Sequence, residues 1–278
     1  MSKIDLASPV VKWVGGKRQL LERLMPLFPE TYTSYCEPFI GGGAVLFALQ
    51  PQKAIINDIN SELIGVYRAI KDDVEALIKR LAQFENTKEC FYEVRGWDRN
   101  AELYNQLTDI DKAARVIFLN KTCYNGLYRV NSAGEFNTPF GRYKNPNIVN
   151  ESTLRAVNEY FNTADVTILN TSYSEAVQGL PENSFVYLDP PYDPISVTAS
   201  FTGYNAGGFG REDQIALRDC CRQLDAAGIK FMLSNSATEF IQDIYSEFNI
   251  TIVPAKRAIN SVGSKRGCVD EVVIRNYE

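Results

Sequence analysis

Short apolar runs that end in polar residues constrain the fold of this chain more than any other feature. Such runs are typical of strands buried inside a parallel sheet. The runs are Ala54–Asp58, Val166–Leu169, Phe185–Asp189, Lys230–Asn235, Ile250–Val253 and Val269–Ile274. Helical patterns accompany them: Gln19–Leu27, a stripe of Ile215, Leu217, Cys221 and Leu224, and a stripe of Phe240, Ile241, Ile244 and Tyr245. Strands that alternate with helices predict an α/β fold with a mostly parallel sheet.

The middle of the chain has a different pattern. Helical periodicity covers Leu63–Ile70, Val74–Phe84 and Ala113–Asn120, and a polar, glycine-containing stretch follows at Tyr124–Asn147. No convincing core strand appears there. We therefore expect residues 61–149 to form a helical insertion in one α/β domain built from residues 1–60 and 150–278.

The composition excludes several kinds of chemistry. The chain has no histidine, which rules out imidazole bases, histidine-ligated metals and Ser-His-Asp or Cys-His nucleophiles. Its six cysteines form no Cys-x-x-Cys pair, so we expect reduced thiols and no metal site. The N-terminus lacks a signal-peptide pattern, and no apolar run approaches the ~20 residues that span a bilayer. These features predict a soluble, cytoplasmic protein.

The strongest chemical motif is Asp189-Pro190-Pro191-Tyr192, which follows the apolar run Phe185–Leu188. Open α/β sheets bind ligands at the carboxyl ends of their strands. An exocyclic nucleobase amine is a weak nucleophile because its lone pair is delocalised into the ring. The Asp189 carboxylate and the Pro190 carbonyl can accept its two N–H groups, both prolines stiffen the segment, and Tyr192 can stack on the base. The alternative is an ordinary proline turn after a strand.

Two further motifs indicate a nucleoside site. Glu37–Gly43 contains three successive glycines, which allow a ligand to approach the backbone. Position 46 is Leu, so the dinucleotide fingerprint G-x-G-x-x-G fails. Asp58 ends the next predicted strand, where a carboxylate can accept hydrogen bonds from ribose hydroxyls. The alternatives are a plain glycine loop and a helix N-terminal carboxylate next to Asn60 as cap.

A fourth motif is Lys12-Trp13-Val14-Gly15-Gly16-Lys17. It is not a phosphate-binding Walker loop, because Arg18 stands where that loop has Ser or Thr. Lys17 can pair with a carboxylate, and Trp13 can cover an adenine ring or a sulfonium. Taken alone, the motif also fits a basic turn before a helix.

In this order, K-W-x-G-G-K, F-x-G-x-G, N-D and D-P-P-Y resemble the Dam family of DNA adenine methyltransferases. The resemblance runs from Lys12 to the C-terminus. The segments Asn125–Arg129 (NGLYR) and Phe136–Tyr143 (FNTPFGRY) carry it most specifically, because D-P-P-Y also occurs in other amino-methylating enzymes. It implies a Rossmann-like methyltransferase sheet with S-adenosyl-L-methionine as the methyl donor. It also implies that the insertion, 61–149, is the DNA target-recognition domain.

The resemblance implies roles for individual residues. Catalysis falls to Asp189, Pro190, Pro191 and Tyr192. The cofactor-binding residues are Trp13, Lys17, Phe39, Gly41, Gly43, Asp58 and Asp189. The DNA-binding residues are Lys12, Tyr124, Asn125, Leu127, Arg129, Asn137, Pro139 and Arg142. Arg129 is expected to read a guanine edge, the commonest specific contact in the major groove. Tyr124 and Asn125 are expected to border the gap left by a flipped adenine. Tyr128 stands at a variable place in the motif, so no role is assigned to it.

The resemblance implies methylation of adenine N6 in double-stranded DNA, with GATC as the usual target, by base flipping and direct transfer. Methylation of RNA adenine or protein glutamine is one alternative; a non-catalytic DNA-binding module is another. The net charge of −5 and pI of about 5.1 oppose non-specific DNA binding. Basic residues nevertheless cluster locally: Lys121, Arg129, Arg142 and Lys144, and later Lys256, Arg257, Lys265 and Arg266. Residues 203–210 fit either a mobile flap or a surface loop.

The biological setting stays open at this point. A cognate restriction endonuclease in the same bacterial or phage-infected cell is a candidate partner. The alternatives are a solitary methylase that marks DNA for replication or mismatch repair, and a phage enzyme that protects DNA. We expect a monomer without a membrane partner.

Overall fold

The computed structural model describes residues 3–194, 208–256 and 268–278. These residues form a mixed α/β fold with seven strands, which confirms the predicted class. The strands are β1 (Tyr35–Glu37), β2 (Lys53–Asn57), β3 (Asp165–Leu169), β4 (Phe185–Leu188), β5 (Lys230–Ser236), β6 (Asn249–Lys256) and β7 (Cys268–Arg275). The helices are α1 (Leu21–Leu24), α2 (Ala44–Leu49), α3 (Ser61–Asp72), α4 (Val74–Leu81), α5 (Lys88–Gly96), α6 (Ala101–Gln106), α7 (Asp109–Thr122), α8 (Glu151–Thr163), α9 (Tyr173–Ala176), α10 (Arg211–Ala226) and α11 (Glu239–Ile244).

One compact unit consists of Met1–Arg18 and Ile40–Thr171. In it β2 and β3 pair in parallel, with Ala54 opposite Val166. Helix α7 packs against α3 and α4, and its face turned to them is buried throughout. The side chains of Leu63, Ile64, Ile117 and Phe118 are fully buried. Burial of each such side chain contributes roughly 1.5–3 kcal/mol, so the helical core stabilises this unit.

The second unit consists of Gln19–Phe39 and Ser172–Glu278. Its strands lie in the order β1-β4-β5-β7-β6. Strand β4 pairs in parallel with β1 and β5, whereas β7 is antiparallel to both β5 and β6. All four residues of β4 are fully buried. The residues that follow β4 are therefore anchored by an interior strand of this unit's sheet, paired on both sides.

The positions of the predicted strands are confirmed to within a few residues, and β1 was not predicted. The expectation that all of them are buried parallel strands is wrong for β6 and β7, which are antiparallel, and Ile252 of β6 is 53% exposed. The predicted helix Gln19–Leu27 is wrong, because only α1 is α-helical there and the 3₁₀ turn Met25–Leu27 follows it. Pro26 explains the break, since proline lacks an N–H and clashes with the preceding turn. In α10, Ile215 is 38% exposed, so its predicted place in the buried stripe is wrong; Gln214, fully buried, takes that place.

Residues 61–149 contain helices and two isolated β-bridges, Cys123↔Phe140 and Val130↔Phe136. The predicted domain boundaries stay a prediction. Outside the described residues lie 203–207 and the side chains of the C-terminal basic cluster (Lys256, Arg257, Lys265 and Arg266). No helix in the described part of the chain is long and apolar enough to cross a bilayer.

Candidate active site

The Asp189–Tyr192 segment leaves the end of β4 and is held by buried amides. Gln214 of α10 donates its Nε2 hydrogen to the Pro191 carbonyl over 2.8 Å. Asn235 of β5 donates in turn to the Gln214 side-chain oxygen over 3.0 Å. Both amides are fully buried. Among the described residues, no hydrogen bond is donated to the Pro190 carbonyl, so its acceptor capacity is uncommitted in a stiff segment.

The residues after Pro191 are fixed as well. The Asp193 amide donates to the Asn235 side-chain oxygen over 3.0 Å. The buried Asp193 carboxylate accepts a hydrogen bond from the Thr238 hydroxyl at 2.8 Å. The Tyr192 hydroxyl donates to Glu271 of β7 over 2.8 Å. Burial, then the charges of Asp189 and Glu271, raises the pKa of Tyr192. The Tyr192 phenol is therefore neutral, and the hydrogen bond from its hydroxyl to Glu271 fixes the position of the ring.

In the first unit the glycine loop and Asp58 are joined by hydrogen bonds. The Gly41 amide donates to Oδ2 of Asp58 over 3.1 Å, and the Asn60 amide donates to Oδ1 over 2.9 Å. Burial raises the pKa of the Asp58 carboxyl, although these backbone amides lower it. A carboxylate has about four lone-pair sites, so Asp58 can accept further hydrogen bonds. The predicted loop and carboxylate therefore lie together.

Gly43 begins α2 with φ of 73°. A Cβ at this position would lie 2.9 Å from the Phe47 ring and 3.1 Å from the Tyr67 hydroxyl. That hydroxyl donates to the Gly41 carbonyl over 2.7 Å. Glycine is required here both by the backbone conformation and by the close packing. The loop is thus a rigid cradle of backbone groups.

Trp13 packs against this cradle in the same unit. A Cβ at Gly41 would lie 3.1 Å from Cδ1 of the Trp13 indole. The ring of Tyr128 stacks on Trp13 with 4.7 Å between centroids and an interplanar angle of 27°. Lys17 is buried and its Nζ donates to the Gly15 carbonyl over 2.6 Å. In the second unit, Phe39 stacks on Tyr173 at 5.3 Å.

Lys12 is joined to the predicted recognition segment by Asn120 of α7. The Asn120 amide donates to the Lys12 carbonyl over 2.8 Å and to the Gly126 carbonyl over 3.1 Å. Its oxygen accepts from the Lys12 amide at 2.8 Å. Burial, and secondarily the charge of Lys12, lowers the pKa of Lys121.

The recognition segment contains a hairpin-like pairing around Arg129. The Asn137 amide donates to the Arg129 carbonyl over 2.9 Å. Asn131 closes the turn, because its side-chain oxygen accepts the amides of Ala133 and Glu135, each at 3.0 Å. The Arg129 Nε donates to the Asn137 side-chain oxygen over 2.6 Å. We call residues 127–138 the recognition hairpin.

Buried charge attaches the recognition hairpin to the helices. The Asp98 carboxylate accepts from the Phe136 amide at 2.8 Å and pairs with Arg115 Nη2 at 2.5 Å. The Arg115 side chain is only 3% exposed. Arg99 donates to the Phe136 carbonyl over 2.7 Å. One strand of the hairpin is therefore held rigidly by α7 and the turn before α6.

The other predicted DNA-binding residues lie on the surface beside the hairpin. Tyr124 is 57% exposed, and its amide donates to the Pro139 carbonyl over 2.8 Å. Asn125 and Arg142 are exposed and have φ of 58° and 56°. Left-handed backbone is uncommon outside glycine and is often found at functional sites. Leu127 is partly buried and its carbonyl accepts from Thr138 at 2.6 Å.

Several residues that support this arrangement were not predicted. Asn120, Tyr67, Gln214 and Asn235 are buried or partly buried polar residues whose partners are distant in sequence, so no local pattern reveals them. Tyr128 is the largest omission, since it contacts Trp13. In the described residues, no three cysteine, aspartate or glutamate side chains are grouped to hold a metal.

Comparison with known proteins identifies relatives over nearly the whole chain. The sequence model of the family described as D12 class N6 adenine-specific DNA methyltransferase matches residues 13–259. The type II methyltransferase M1.LlaDCHI of Lactococcus lactis subsp. cremoris is 45% identical over 278 residues, which cover 99% of this chain and 97% of the relative. The type II methyltransferase M.MjaIII of Methanocaldococcus jannaschii is 43% identical, covering 97% and 99%. The DNA adenine methylase of Escherichia coli strain K12 is 33% identical, covering 95% and 93%.

Proposed function

This chain belongs to the D12 class of N6 adenine-specific DNA methyltransferases, and we propose that it methylates adenine in GATC by base flipping and direct transfer. Its class as an S-adenosyl-L-methionine-dependent adenine methyltransferase acting on DNA follows from the family. This membership replaces the alternatives of another planar amine or a non-catalytic module. The target sequence, the flipping step and the roles of individual residues are the proposal.

The observation that carries the mechanism is the hydrogen bonding of the Asp189–Tyr192 segment. Gln214 donates a hydrogen bond to the Pro191 carbonyl. The Pro190 carbonyl, to which no described residue donates, is the second proposed acceptor beside Asp189. Two acceptors can bind the two N–H groups of an adenine amine and direct its lone pair outward. Tyr192 offers its ring to the flipped base, a contact of about 1–3 kcal/mol. That contact offsets part of the few kcal/mol needed for flipping.

The residues of the glycine loop fit a bound nucleoside. Asp58 keeps acceptor capacity for the ribose, and the glycine cradle allows close approach. Trp13 presents an indole beside the same loop, suited to a purine or a sulfonium. Lys17, Phe39 and Asp189 are the other proposed contacts. When bound, S-adenosyl-L-methionine supplies an electrophilic methyl group. The chain then needs no strong general base, because the amine becomes acidic only as it is alkylated, and positioning supplies the acceleration.

The recognition hairpin supports the DNA side of the proposal. Asn137 binds the Nε edge of Arg129, which orients the guanidinium toward a guanine. Tyr124 and Asn125 form an exposed pair that can enter the gap left by the adenine. Lys12, Leu127, Pro139 and Arg142 complete the proposed contacts to bases and phosphates.

Expression in a host that lacks adenine methylation tests this function. Plasmid DNA is digested with nucleases that distinguish methylated from unmethylated GATC. We expect protection with the wild-type protein and none with Asp189→Ala produced at equal, folded levels. Unchanged digestion in the presence of folded wild-type protein rejects GATC methylation. If N6-methyladenine is nevertheless detected in the same DNA, adenine methylation is supported and only the GATC target sequence is rejected.

The names of the relatives support a partner as well. Two of them are type II methyltransferases, so a cognate restriction endonuclease in the same cell is the proposed partner. We propose that it acts on DNA in the cytoplasm, as a bacterial or phage-encoded enzyme. We propose that it acts as a monomer, since one polypeptide contains all the motifs.

A further inference from the structure

Tyr128 lies between Trp13, one of the proposed cofactor residues, and the rest of the recognition hairpin, all of which belong to the first unit. Its side chain is only 8% exposed. The ring stacks on Trp13 at 4.7 Å between centroids. Trp13 in turn packs against the glycine loop: a Cβ added at Gly41 would lie 3.1 Å from the indole, and one added at Gly42 would lie 3.5 Å from the Trp13 Cβ. The orientation of the indole therefore depends on Tyr128 on one side and on the cofactor loop on the other.

Tyr128 also lies near Asn60, two residues after Asp58. Burial, and secondarily the charge of Glu62, raises the pKa of the Tyr128 hydroxyl to about 12, while the nearby Asn60 side chain lowers it. Asn60 is the N-cap of α3 and donates its amide to the Asp58 carboxylate over 2.9 Å. Displacement of Tyr128 would thus disturb Trp13, which its ring contacts directly.

On its other side Tyr128 belongs to the recognition hairpin. It directly precedes Arg129, and its ring contacts Phe136 edge-on at 5.7 Å. Side chains of successive residues in an extended strand point to opposite faces. Arg129 is accordingly exposed whereas Tyr128 is buried. A DNA base that fixes Arg129 therefore also restrains the backbone that carries Tyr128.

We propose that Tyr128 is a positioning residue that couples recognition of the DNA target to binding of the methyl donor. This inference rests on the proposed function. Target DNA fixes Arg129 and thereby the adjacent backbone of Tyr128, Tyr128 holds the orientation of Trp13, and the donor then binds to a site that has lost part of its conformational freedom. Linkage requires the reverse effect to be equal, so bound donor strengthens binding of the correct sequence by the same factor.

Calorimetric titration of the full-length protein with S-adenosylhomocysteine measures this coupling. The titration is done under three conditions: without DNA, with a duplex that contains the target sequence of the enzyme, and with the same duplex carrying one altered guanine. We expect the correct duplex to increase affinity by about fivefold or more, and the altered duplex to increase it much less. Tyr128→Leu, which keeps an apolar side chain but removes the stack, should bring the ratio close to one. Tyr128→Phe should retain most of it.

Tyr92→Ala, which removes a partly exposed aromatic residue from α5, is the matched control and should keep the full ratio. The ratio of the affinities for S-adenosylhomocysteine with and without the correct duplex does not change when a substitution weakens donor binding in general, because both affinities then fall by the same factor. An unchanged ratio in folded Tyr128→Leu overturns the role of Tyr128. A wild-type affinity independent of DNA overturns the coupling itself while leaving methylation intact. Absence of any S-adenosylhomocysteine binding by the wild type overturns the proposed function as well.

Discussion

Arg129 donates its Nε hydrogen to the side-chain oxygen of Asn137 over 2.6 Å, across the two strands of the recognition hairpin. A second, longer contact of 3.4 Å joins Arg129 Nη2 to the Asn137 carbonyl. An arginine side chain loses up to ~2 kcal/mol of rotamer entropy when it is fixed. Asn137 provides part of this ordering before DNA arrives. The pair therefore prearranges the guanidinium that we propose as the reader of a base edge.

Arg129→Ala should relax discrimination at one guanine by about 1–3 kcal/mol. Asn137→Ala should produce a smaller loss in the same direction, because the guanidinium remains but its orientation is no longer held. The ratio of kcat/KM for the correct duplex to that for a duplex with one altered guanine measures both effects. Equal ratios for wild type and Arg129→Ala would show that another residue reads this base.

Asp98→Ala should lower the free energy of unfolding by about 3 kcal/mol, because it leaves the buried Arg115 guanidinium without its nearest carboxylate. It should also loosen the recognition hairpin, since the Phe136 amide loses its acceptor. Denaturant titration measures the first effect. Asp109→Ala removes an exposed carboxylate from the first turn of α7 and should cost less than about 1 kcal/mol. Similar losses for both variants would contradict this role of Asp98.

Gln214→Leu should reduce kcat by about tenfold or more while KM for the methyl donor changes little, since misplacement of a reacting group costs rate rather than binding. The substitution removes the donor to the Pro191 carbonyl. The control Gln223→Leu changes an exposed position of the same helix and should leave kcat unaltered. Steady-state kinetics compare the two variants, using samples whose melting temperatures match that of the wild type. A normal kcat in Gln214→Leu would mean that Pro191 needs no such support.

The affinity for S-adenosylhomocysteine should fall as the pH decreases through the raised pKa of Asp58. Burial raises this pKa from the ordinary 3.8, so protonation removes the acceptor at a higher pH than for an exposed aspartate. The same shift means that ionisation of Asp58 lowers the free energy of unfolding as the pH rises through that window. Calorimetry from acidic to neutral pH measures the binding effect. Asp58→Asn should bind weakly and without this dependence; a parallel pH profile in the variant would assign it to another group.

The strands were predictable because each long buried strand leaves a continuous apolar run. β4 and β5 are examples, and both are buried along their length. β1 was missed because Tyr35–Glu37 is only three residues long and ends in a glutamate. Its burial arises from pairing with β4, which is distant in sequence.

The site was predictable only where a motif has a local chemical reason. The glycine loop and Asp58 were expected to be neighbours, and the structure joins them through the Gly41 amide. Gln214 could not be recognised from the sequence. Its amide can be buried only because it forms hydrogen bonds with Pro191 and Asn235, which are distant in the chain. Tyr128 escaped notice for a related reason: its contact with Trp13 joins segments more than a hundred residues apart. The catalytic and binding roles assigned to individual residues stay predictions.

The most direct test of the central claim is a genome-wide map of N6-methyladenine in DNA from a methylation-deficient host that expresses this protein. The predicted result is modification of adenine at nearly every GATC site with the wild type, and at none with Asp189→Ala. A map without N6-methyladenine, obtained with folded wild-type protein and its methyl donor present, would contradict the assignment of adenine transfer to this site.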